Sequence, residues 1–284
     1  MIAKGSTRVA VVALAAAGSA GFGFPPPERL ACPAGTTMRR DDSPAARRHE
    51  LFCARADGTK QGPSRLFESG VRTEGSYAKG EQVGIWRSWY ENGKPFWRHR
   101  VVAGSLDGPE ITWDHKGALM SKGSYRAGER EGLWMVNDLE VTGRGNYRRG
   151  AREGRWSFSS EGHRIAAGAY RHGDLEGPWM FYWPGGGLES RGTFRRSEKH
   201  GRWRFFEPEG WLRVDIQCRA GQANGDFLAF DRQGFVEMRG HFENDVGGVQ
   251  ALDGTGSGGG LCGYQCWARD HCHTEDDYRT VDDD

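Results

Sequence analysis

Aromatic and glycine positions alternate with polar positions through most of the chain, and the whole arrangement returns at a fixed interval. A glycine opens each unit, and the next such glycine follows 22 to 24 residues later. In most units an aromatic residue stands two residues after that glycine, and in most another stands five residues after it. Self-similarity at one period is typical of a repeat array. The opening glycines are Gly62, Gly84, Gly108, Gly132, Gly154, Gly177, Gly201, Gly225 and Gly247.

Each unit predicts one β-hairpin. Two aromatic-rich segments of ordinary strand length are separated by a turn such as Glu91-Asn92-Gly93-Lys94. Asn-Gly favours a type I′ turn, because both central residues need positive φ. The second segment carries Gly-x-aromatic, as in Gly75-Ser76-Tyr77, and a glycine inside a strand marks a bend or a close backbone approach. A lone hairpin is marginal in water, so the units are expected to stack on one another.

The sequence therefore predicts an all-β fold, an elongated single-layer array of about nine stacked β-hairpins with irregular, disulfide-linked ends. About 16–18 strands at ~4.8 Å each would form a ribbon of roughly 80 Å. The repeat domain is assigned to residues 57–250, after an irregular segment at 21–56. A glycine-rich linker follows at 251–260, and a Cys/His-containing acidic tail at 261–284.

The motif G-x-W-x-x-aromatic-x-x-x-G-x-x-x-x-G-x-Y-x-x-G covers about residues 57–250. It resembles the MORN repeat and, more closely, the MORN-variant repeats of the bacterial YwqK-type antitoxin family. The resemblance implies a ribbon that scaffolds protein partners or touches lipids. The family name implies neutralisation of a cognate toxin.

Some units depart from the motif. Glu110 stands where a tryptophan is expected, and Val101-Val102 stands where the preceding Gly-x-aromatic belongs. Asn137 occupies the second aromatic column, and Cys218 occupies the tyrosine column. Such departures mark places where a partner contacts the array or where the fold tolerates variation, and tolerance is the preferred interpretation.

Residues 1–20 have the pattern of a secretory signal peptide. Lys4 and Arg8 precede an uncharged, mostly apolar run that ends in Gly18-Ser19-Ala20. The run is short for a bilayer span, so cleavage after export is expected. An uncleaved membrane anchor is the alternative. The leader predicts a periplasmic or extracellular protein.

Six cysteines fit an oxidising compartment. Proximity in sequence predicts the pair Cys32–Cys53. Cys218 is expected to pair with one of three cysteines in the tail, and the remaining two tail cysteines are expected to pair with each other. The tail cysteines are Cys262, Cys266 and Cys272. With His271 and His273 they have the residue types of a zinc site. In an exported protein disulfides are the preferred interpretation, and no metal is expected.

Composition narrows the class of protein. The chain has 284 residues with 44 Gly, 11 Trp and 12% aromatic residues, which argues for turn-dense β structure rather than disorder. The formal net charge of +1 is too small to attract nucleic acid to the protein as a whole. The charge is uneven, since residues 269–284 contain seven acidic residues and two arginines. A nucleic-acid partner is therefore not expected.

The chain contains no nucleophile elbow, zinc-protease helix or phosphate-binding loop. Its nine histidines occupy different phases of the repeat. An envelope hydrolase built across several units would need a closed cleft, which a thin ribbon rarely supplies. The sequence therefore predicts a non-enzymatic protein without a cofactor.

A single-layer sheet cannot bury both faces, so exposed aromatics are candidates for binding. Trp97, Trp183 and Trp211 lie outside the main aromatic columns and are the candidate binding residues, unless they cover adjacent units. The function expected is an exported scaffold of the cell envelope. Its expected partner is a protein, with a glycan or a lipid surface as alternatives. An antitoxin or immunity protein that blocks a toxin is the second hypothesis.

Overall fold

The computed structural model describes residues 29–43, 47–138 and 140–251, which form one antiparallel sheet of consecutive strands. The described ranges contain no helix, and so no helix long and apolar enough to cross a membrane was found in them. The strands are β1 (Thr37–Ser43), β2 (Arg48–Ala54), β3 (Lys60–Glu68), β4 (Val71–Ala78), β5 (Glu81–Trp89), β6 (Pro95–Val102), β7 (Ser105–Trp113), β8 (Leu119–Arg126), β9 (Glu129–Asp138), β10 (Val141–Arg148), β11 (Ala151–Ser160), β12 (His163–Arg171), β13 (Asp174–Tyr182), β14 (Leu188–Arg195), β15 (Glu198–Phe206), β16 (Leu212–Arg219), β17 (Gln222–Phe230), β18 (Val236–Glu243) and β19 (Val246–Ala251).

Every strand pairs with the next strand in the chain, from the β1–β2 hairpin to the β18–β19 hairpin. The expected all-β array of stacked hairpins is confirmed. The segment expected to be irregular differs in part, because it contributes β1 and β2 to the sheet. β1 is highly charged, which suits an edge strand, since charged side chains discourage pairing with other chains.

The disulfide Cys32–Cys53 is present, as predicted, with 5.5 Å between the Cα atoms. Cys218 is also disulfide-bonded, and its partner lies outside the described residues. The expectations for the leader at residues 1–20 and for the tail at 261–284, including Cys262, Cys266 and Cys272, fall outside the described residues as well.

Most repeats have different turns at their two ends, although the turns inside two units, Ser69-Gly70 and Glu161-Gly162, are also two-residue turns with paired positive φ. Asn92-Gly93 lies in a five-residue loop, where Tyr90 N donates to Lys94 O and Gly93 has positive φ but Asn92 does not. The loop therefore differs from the type I′ turn expected there, because the Asn92 side chain accepts a hydrogen bond from Lys94 N instead. Paired positive φ values occur at the two-residue turns that join one unit to the next, such as Lys79-Gly80 with φ of 51° and 88°.

Those two-residue turns bind the preceding unit. Gly80 N donates to Lys60 O across 2.9 Å, and equivalent bonds recur at Gly104, Gly128, Gly150, Gly173 and Gly221. A side chain of the preceding unit supports several of these turns by accepting from a backbone N–H. Such acceptors are Gln61, Asp107, Glu131, Glu153 and Glu176. These residues therefore anchor turns and tie consecutive units together.

One face of the sheet, the inner face, carries a row in which glycine and tryptophan alternate from strand to strand. Each indole lies directly on the glycine of the preceding strand, so that a Cβ added to Gly75 would come within 2.0 Å of Trp86. The aromatic side chain two residues after the glycine packs edge-to-face against the same indole. In Tyr170–Trp179 the ring centroids are 5.3 Å apart and the ring planes form an angle of 88°. The indole N–H usually donates to a nearby backbone carbonyl. The five couples are Gly75–Trp86, Gly123–Trp134, Gly145–Trp156, Gly168–Trp179 and Gly192–Trp203.

A second inner row lies two residues after the tryptophan on odd-numbered strands and two residues before the glycine on even-numbered strands. In β9–β18 it is mostly apolar, with Phe158, Phe181 and Phe205 on alternate strands and small residues such as Ala166 between them. Each of these phenylalanines stacks on the tryptophan of its own strand. The two rows form one continuous apolar core from Trp134 to Phe242.

Candidate functional site

The glycine–tryptophan row is interrupted at β6 and β7. The register places His99 opposite Trp86 on one side and opposite Glu110 on the other. Glu110 in turn faces Gly123 of the next regular couple. A histidine and a glutamate therefore occupy the positions that hold glycine and tryptophan in neighbouring units. We call Trp97, His99, Glu110 and Thr112 the polar interruption.

The second inner row is inverted at the same place. Ser88 and Thr112 stand on β5 and β7 at the positions that carry phenylalanine on β11, β13 and β15. Trp97 stands between them on β6, at the position that carries a small residue on β8, β10, β12 and β14. Trp97 stacks on His99 with ring centroids 4.1 Å apart and planes 6° from parallel. This stack on β6 replaces the stacks that later units place on odd-numbered strands. The large and small side chains have exchanged strands, which keeps the inner face filled.

The interruption is partly desolvated and holds two ionisable groups. The His99 Nδ1 and Glu110 Oε2 atoms are 3.7 Å apart, and the two side chains are 17% and 12% exposed. Burial lowers the pKa of His99, which favours the neutral imidazole. Burial also raises the pKa of Glu110, and the positive charge of Arg130 and the hydroxyl of Tyr125 oppose that shift.

These groups offer an aromatic face, an imidazole and a carboxyl within one half-buried patch. Small hydroxyl residues extend it, since Thr112 and Ser121 share a hydrogen bond of 2.8 Å and Thr73 donates to Ser88. In the part of the chain that the structure describes, no three His, Cys, Asp or Glu side chains converge as a metal site would require. The arrangement is suited to hydrogen bonding and stacking with a ligand.

The regular unit next to the interruption has a recognisable sequence. Residues 82–96 match the MORN repeat variant family. The match spans β5, the following loop and the start of β6, and it ends one residue before Trp97. A search of curated proteins gave no match, so no relative supports the antitoxin resemblance. The MORN repeat variant thus describes the regular unit, and the interruption begins where the match ends.

The three tryptophans proposed from the sequence do not lie together. Trp97 is on β6, whereas Trp183 and Trp211 lie in the loops after β13 and β15. Trp183 Nε1 donates to Phe206 O at 3.1 Å, and the Arg213 guanidinium lies 5.8 Å from the Trp211 ring. All three are half-buried. Trp183 covers the adjacent unit, which was the alternative interpretation.

Sequence reasoning recognised the departure at Glu110 but missed its partner, His99. The placement of Val101-Val102 at the Gly-x-aromatic motif was wrong, because the register pairs Val101 with Gly84 as it pairs Tyr77 with Gly62, and His99 therefore stands in the glycine column. Pairing His99 with Glu110 required the register, and bulges between His99 and Val101 and elsewhere shift that register. The turn-anchoring role of Glu131, Glu153 and Glu176 was also missed, since sequence spacing alone does not pair these side chains with the backbone N–H groups that they bind.

Proposed function

We propose that the protein is an exported, non-enzymatic scaffold that binds a protein partner through the polar interruption of its inner face. The observation that carries the proposal is the replacement of a glycine–tryptophan couple by the His99–Glu110 pair beside Trp97. Every other such couple in β4–β15 buries its indole almost completely. The interruption instead leaves hydrogen-bonding groups partly accessible.

The residue types favour a protein partner. Tryptophan, tyrosine and arginine dominate the energetics of protein interfaces, and Trp97, Tyr125 and Arg130 lie in or beside the interruption. A rigid sheet also holds these side chains in place before binding, which reduces the entropy lost on association. The MORN repeat variant at residues 82–96 and the repeat sheet are consistent with a binding scaffold.

Export is supported by a disulfide and by the signal-peptide pattern of residues 1–20. The Cys32–Cys53 disulfide is of the kind that persists in oxidising compartments. Intact mass of the natively expressed protein, before and after reduction, tests this part of the proposal. Loss of about 20 N-terminal residues with oxidised cysteines is expected, and an uncut, reduced chain would refute export.

The binding site is tested with Trp97→Ala against the double variant Trp183→Ala/Trp211→Ala. Each protein is immobilised and exposed to an envelope extract of its natural host, and a retained protein is then purified and titrated directly. We expect Trp97→Ala to weaken that binding by roughly tenfold or more, whereas the loop variant retains it. Thermal unfolding of each variant checks that the sheet is intact. Equal binding by the wild type and Trp97→Ala would refute the site.

Neutralisation of a toxin remains a prediction from the family resemblance. Growth rescue of cells expressing a toxin encoded beside this protein would test it. If such a toxin is the retained partner and Trp97→Ala abolishes rescue, the scaffold and antitoxin hypotheses describe the same site. A catalytic role for His99 and Glu110 is not proposed, because the pair alone does not define a nucleophile or an orienting group.

A further inference from the structure

The face opposite the tryptophans, the outer face, carries a line of basic residues across the N-terminal half of the sheet. The register aligns one outer residue of each strand from β5 to β10, in the order Arg87, Arg98, Ile111, Lys122, Met135, Arg144. Four of these six residues are cationic, and none is acidic. The four cations are exposed, whereas Ile111 and Met135 are half-buried between them. We call Arg87, Arg98, Lys122 and Arg144 the basic row.

Two acids that stand on the same line outside the basic row are already paired. Glu74 on β4 contacts Arg65 at 2.7 Å and Arg72 at 3.6 Å rather than Arg87. Asp215 on β16 contacts Arg202 at 2.6 Å and Arg204 at 3.1 Å. None of the four cations of the basic row forms an ion pair with another described residue. The charge of this segment is therefore not balanced within the described sheet.

The basic row does not stabilise the sheet. Arg87 and Arg98 are directly opposite one another, and like charges in that position are destabilising. A comparable pair, Arg191 opposite Arg204, differs because Asp215 neutralises Arg204. The uncompensated pair at β5–β6 is better explained by an anionic ligand that supplies the missing counter-charge.

We propose that the basic row binds a linear anionic polysaccharide that runs across the strands on the outer face. Strands lie ~4.8 Å apart, so cations on β6, β8 and β10 recur about every 10 Å along a line. A polysaccharide with one carboxylate or sulfate per disaccharide presents charges in a line at comparable intervals. The half-buried Ile111 and Met135 provide apolar surface for sugar rings between the charges. This site is on the opposite face from the polar interruption and does not depend on the proposed function.

The geometry favours a glycan over two other polyanions. Single-stranded nucleic acid is bound by aromatic platforms as well as cations, and among the described residues the one exposed large aromatic is Phe235, in the loop after β17. A lipid surface presents its charge over a plane and would not select one line of residues. Both ligands serve as comparison arms in the test.

The test uses the full-length protein and hyaluronan oligosaccharides, which carry one carboxylate per disaccharide. The first variant replaces the basic row as Arg87→Gln, Arg98→Gln, Lys122→Gln and Arg144→Gln. The control replaces four exposed arginines near the two-residue turns, on the same face by strand alternation and with the same loss of charge. The control substitutions are Arg126→Gln, Arg148→Gln, Arg195→Gln and Arg219→Gln.

Calorimetric titration at low salt should show binding by the wild type that weakens as salt rises. We expect the basic-row variant to bind at least about tenfold more weakly, and the control variant to stay within about threefold of wild type. Circular dichroism and melting of both variants confirm folding. Absence of wild-type binding at low salt, or equal losses of affinity in the two variants, would overturn the proposal. Row-dependent binding to phosphatidylglycerol vesicles or to oligodeoxythymidylate, without binding to hyaluronan, would also overturn it.

Discussion

The sheet joins two regions that share a backbone plan and differ on the inner face. In β9–β18 large and small side chains alternate without a break, and the tryptophans and phenylalanines form one core. In β4–β8 the second row is Thr73, Ser88, Trp97, Thr112 and Ser121, and the regular couples Gly75–Trp86 and Gly123–Trp134 flank the polar interruption. The two-residue turns and their hydrogen bonds to the preceding unit are the same in both regions.

The difference teaches that the fold requires complementary volume across neighbouring strands rather than a particular residue in each column. His99 is larger than glycine, and Glu110 is smaller than tryptophan, so the pair still fills the space between β5 and β8. The polarity of the inner face changes, because His99 and Glu110 place hydrogen-bonding groups where other units bury an apolar indole. A repeat array can therefore hold a polar site without losing its hairpins.

The largest effect is expected from a methyl group placed beneath an indole of the regular region. In Gly168→Ala the new Cβ would lie within 2.0 Å of Trp179, a side chain that is 1% exposed. The ring must leave its position, and we expect a loss of about 3 kcal/mol or more in the free energy of unfolding. Urea unfolding followed by tryptophan fluorescence measures it.

Gly185→Ala is the matched control, since an added Cβ there meets no atom within 4 Å and φ is not positive. That variant should be neutral or slightly more stable, because alanine restricts the unfolded chain. A similar loss of stability in both variants would show that the indole contact is not what requires glycine.

A second prediction converts the interrupted region into a regular one. His99→Gly should leave a gap, and Glu110→Trp should clash with His99, so each single change is expected to destabilise the sheet. The double variant restores a glycine–tryptophan couple between β6 and β7. A favourable coupling of about 1–3 kcal/mol is expected from the double-mutant cycle. Additive effects would mean that the two positions do not exchange volume as inferred.

The sequence predicts the hairpins well because the signals of each unit recur nine times in phase. Gly75 and its equivalents were expected to mark close approach, and the structure identifies the approaching group as the indole of the next strand. The predicted Cys32–Cys53 bridge is likewise present.

Neither candidate binding surface could be predicted from spacing alone. Register shifts between adjacent strands decide that His99 faces Glu110 and that Arg87 faces Arg98. A shift of one residue would move every side chain to the other face. Trp97 was expected at the surface because it lies outside the aromatic columns, but Ser88 and Thr112 leave space for it on the inner face. The polar interruption and the basic row thus depend on the register between consecutive strands.

In each region, burial raises the pKa of one carboxyl group, and the two carboxyls can be distinguished by titration. Burial raises the pKa of Glu189 on β14 from 4.5 to about 7, against the opposing charge of Lys199. The folded state therefore retains a proton that the unfolded state has lost, and the free energy of unfolding should fall as pH rises from about 4.5 to about 7. Because the group is partly solvated, we expect an effect of ~1–2 kcal/mol.

Glu189→Gln removes this titration. The variant should therefore gain stability relative to the wild type between pH 5 and pH 8, as measured by urea unfolding at both values. Glu110→Gln in the polar interruption is the comparison, since burial also raises the pKa of Glu110, against the charge of Arg130 and the hydroxyl of Tyr125, and the change in stability with pH should have the same sign. Lowering the pKa of His99 makes stability increase with pH through the range in which the unfolded histidine loses its proton. A difference between Glu189→Gln and wild type that is independent of pH would contradict the buried-carboxyl explanation.

The smallest effect concerns the feature that both regions share. Glu131 Oε2 accepts a hydrogen bond from Arg149 N in a two-residue turn, and Gln61 Oε1 accepts the equivalent bond from Lys79 N in an earlier unit. Since glutamine performs this role naturally, Glu131→Gln should be nearly neutral. Glu131→Ala leaves the N–H to water and should cost about 1 kcal/mol. Hydrogen exchange at the Arg149 amide should accelerate in Glu131→Ala and stay unchanged in Glu131→Gln. Equal acceleration in both variants would show that the carboxylate charge, rather than the hydrogen bond, secures the turn, and the two regions would then differ in their turns as well as on the inner face.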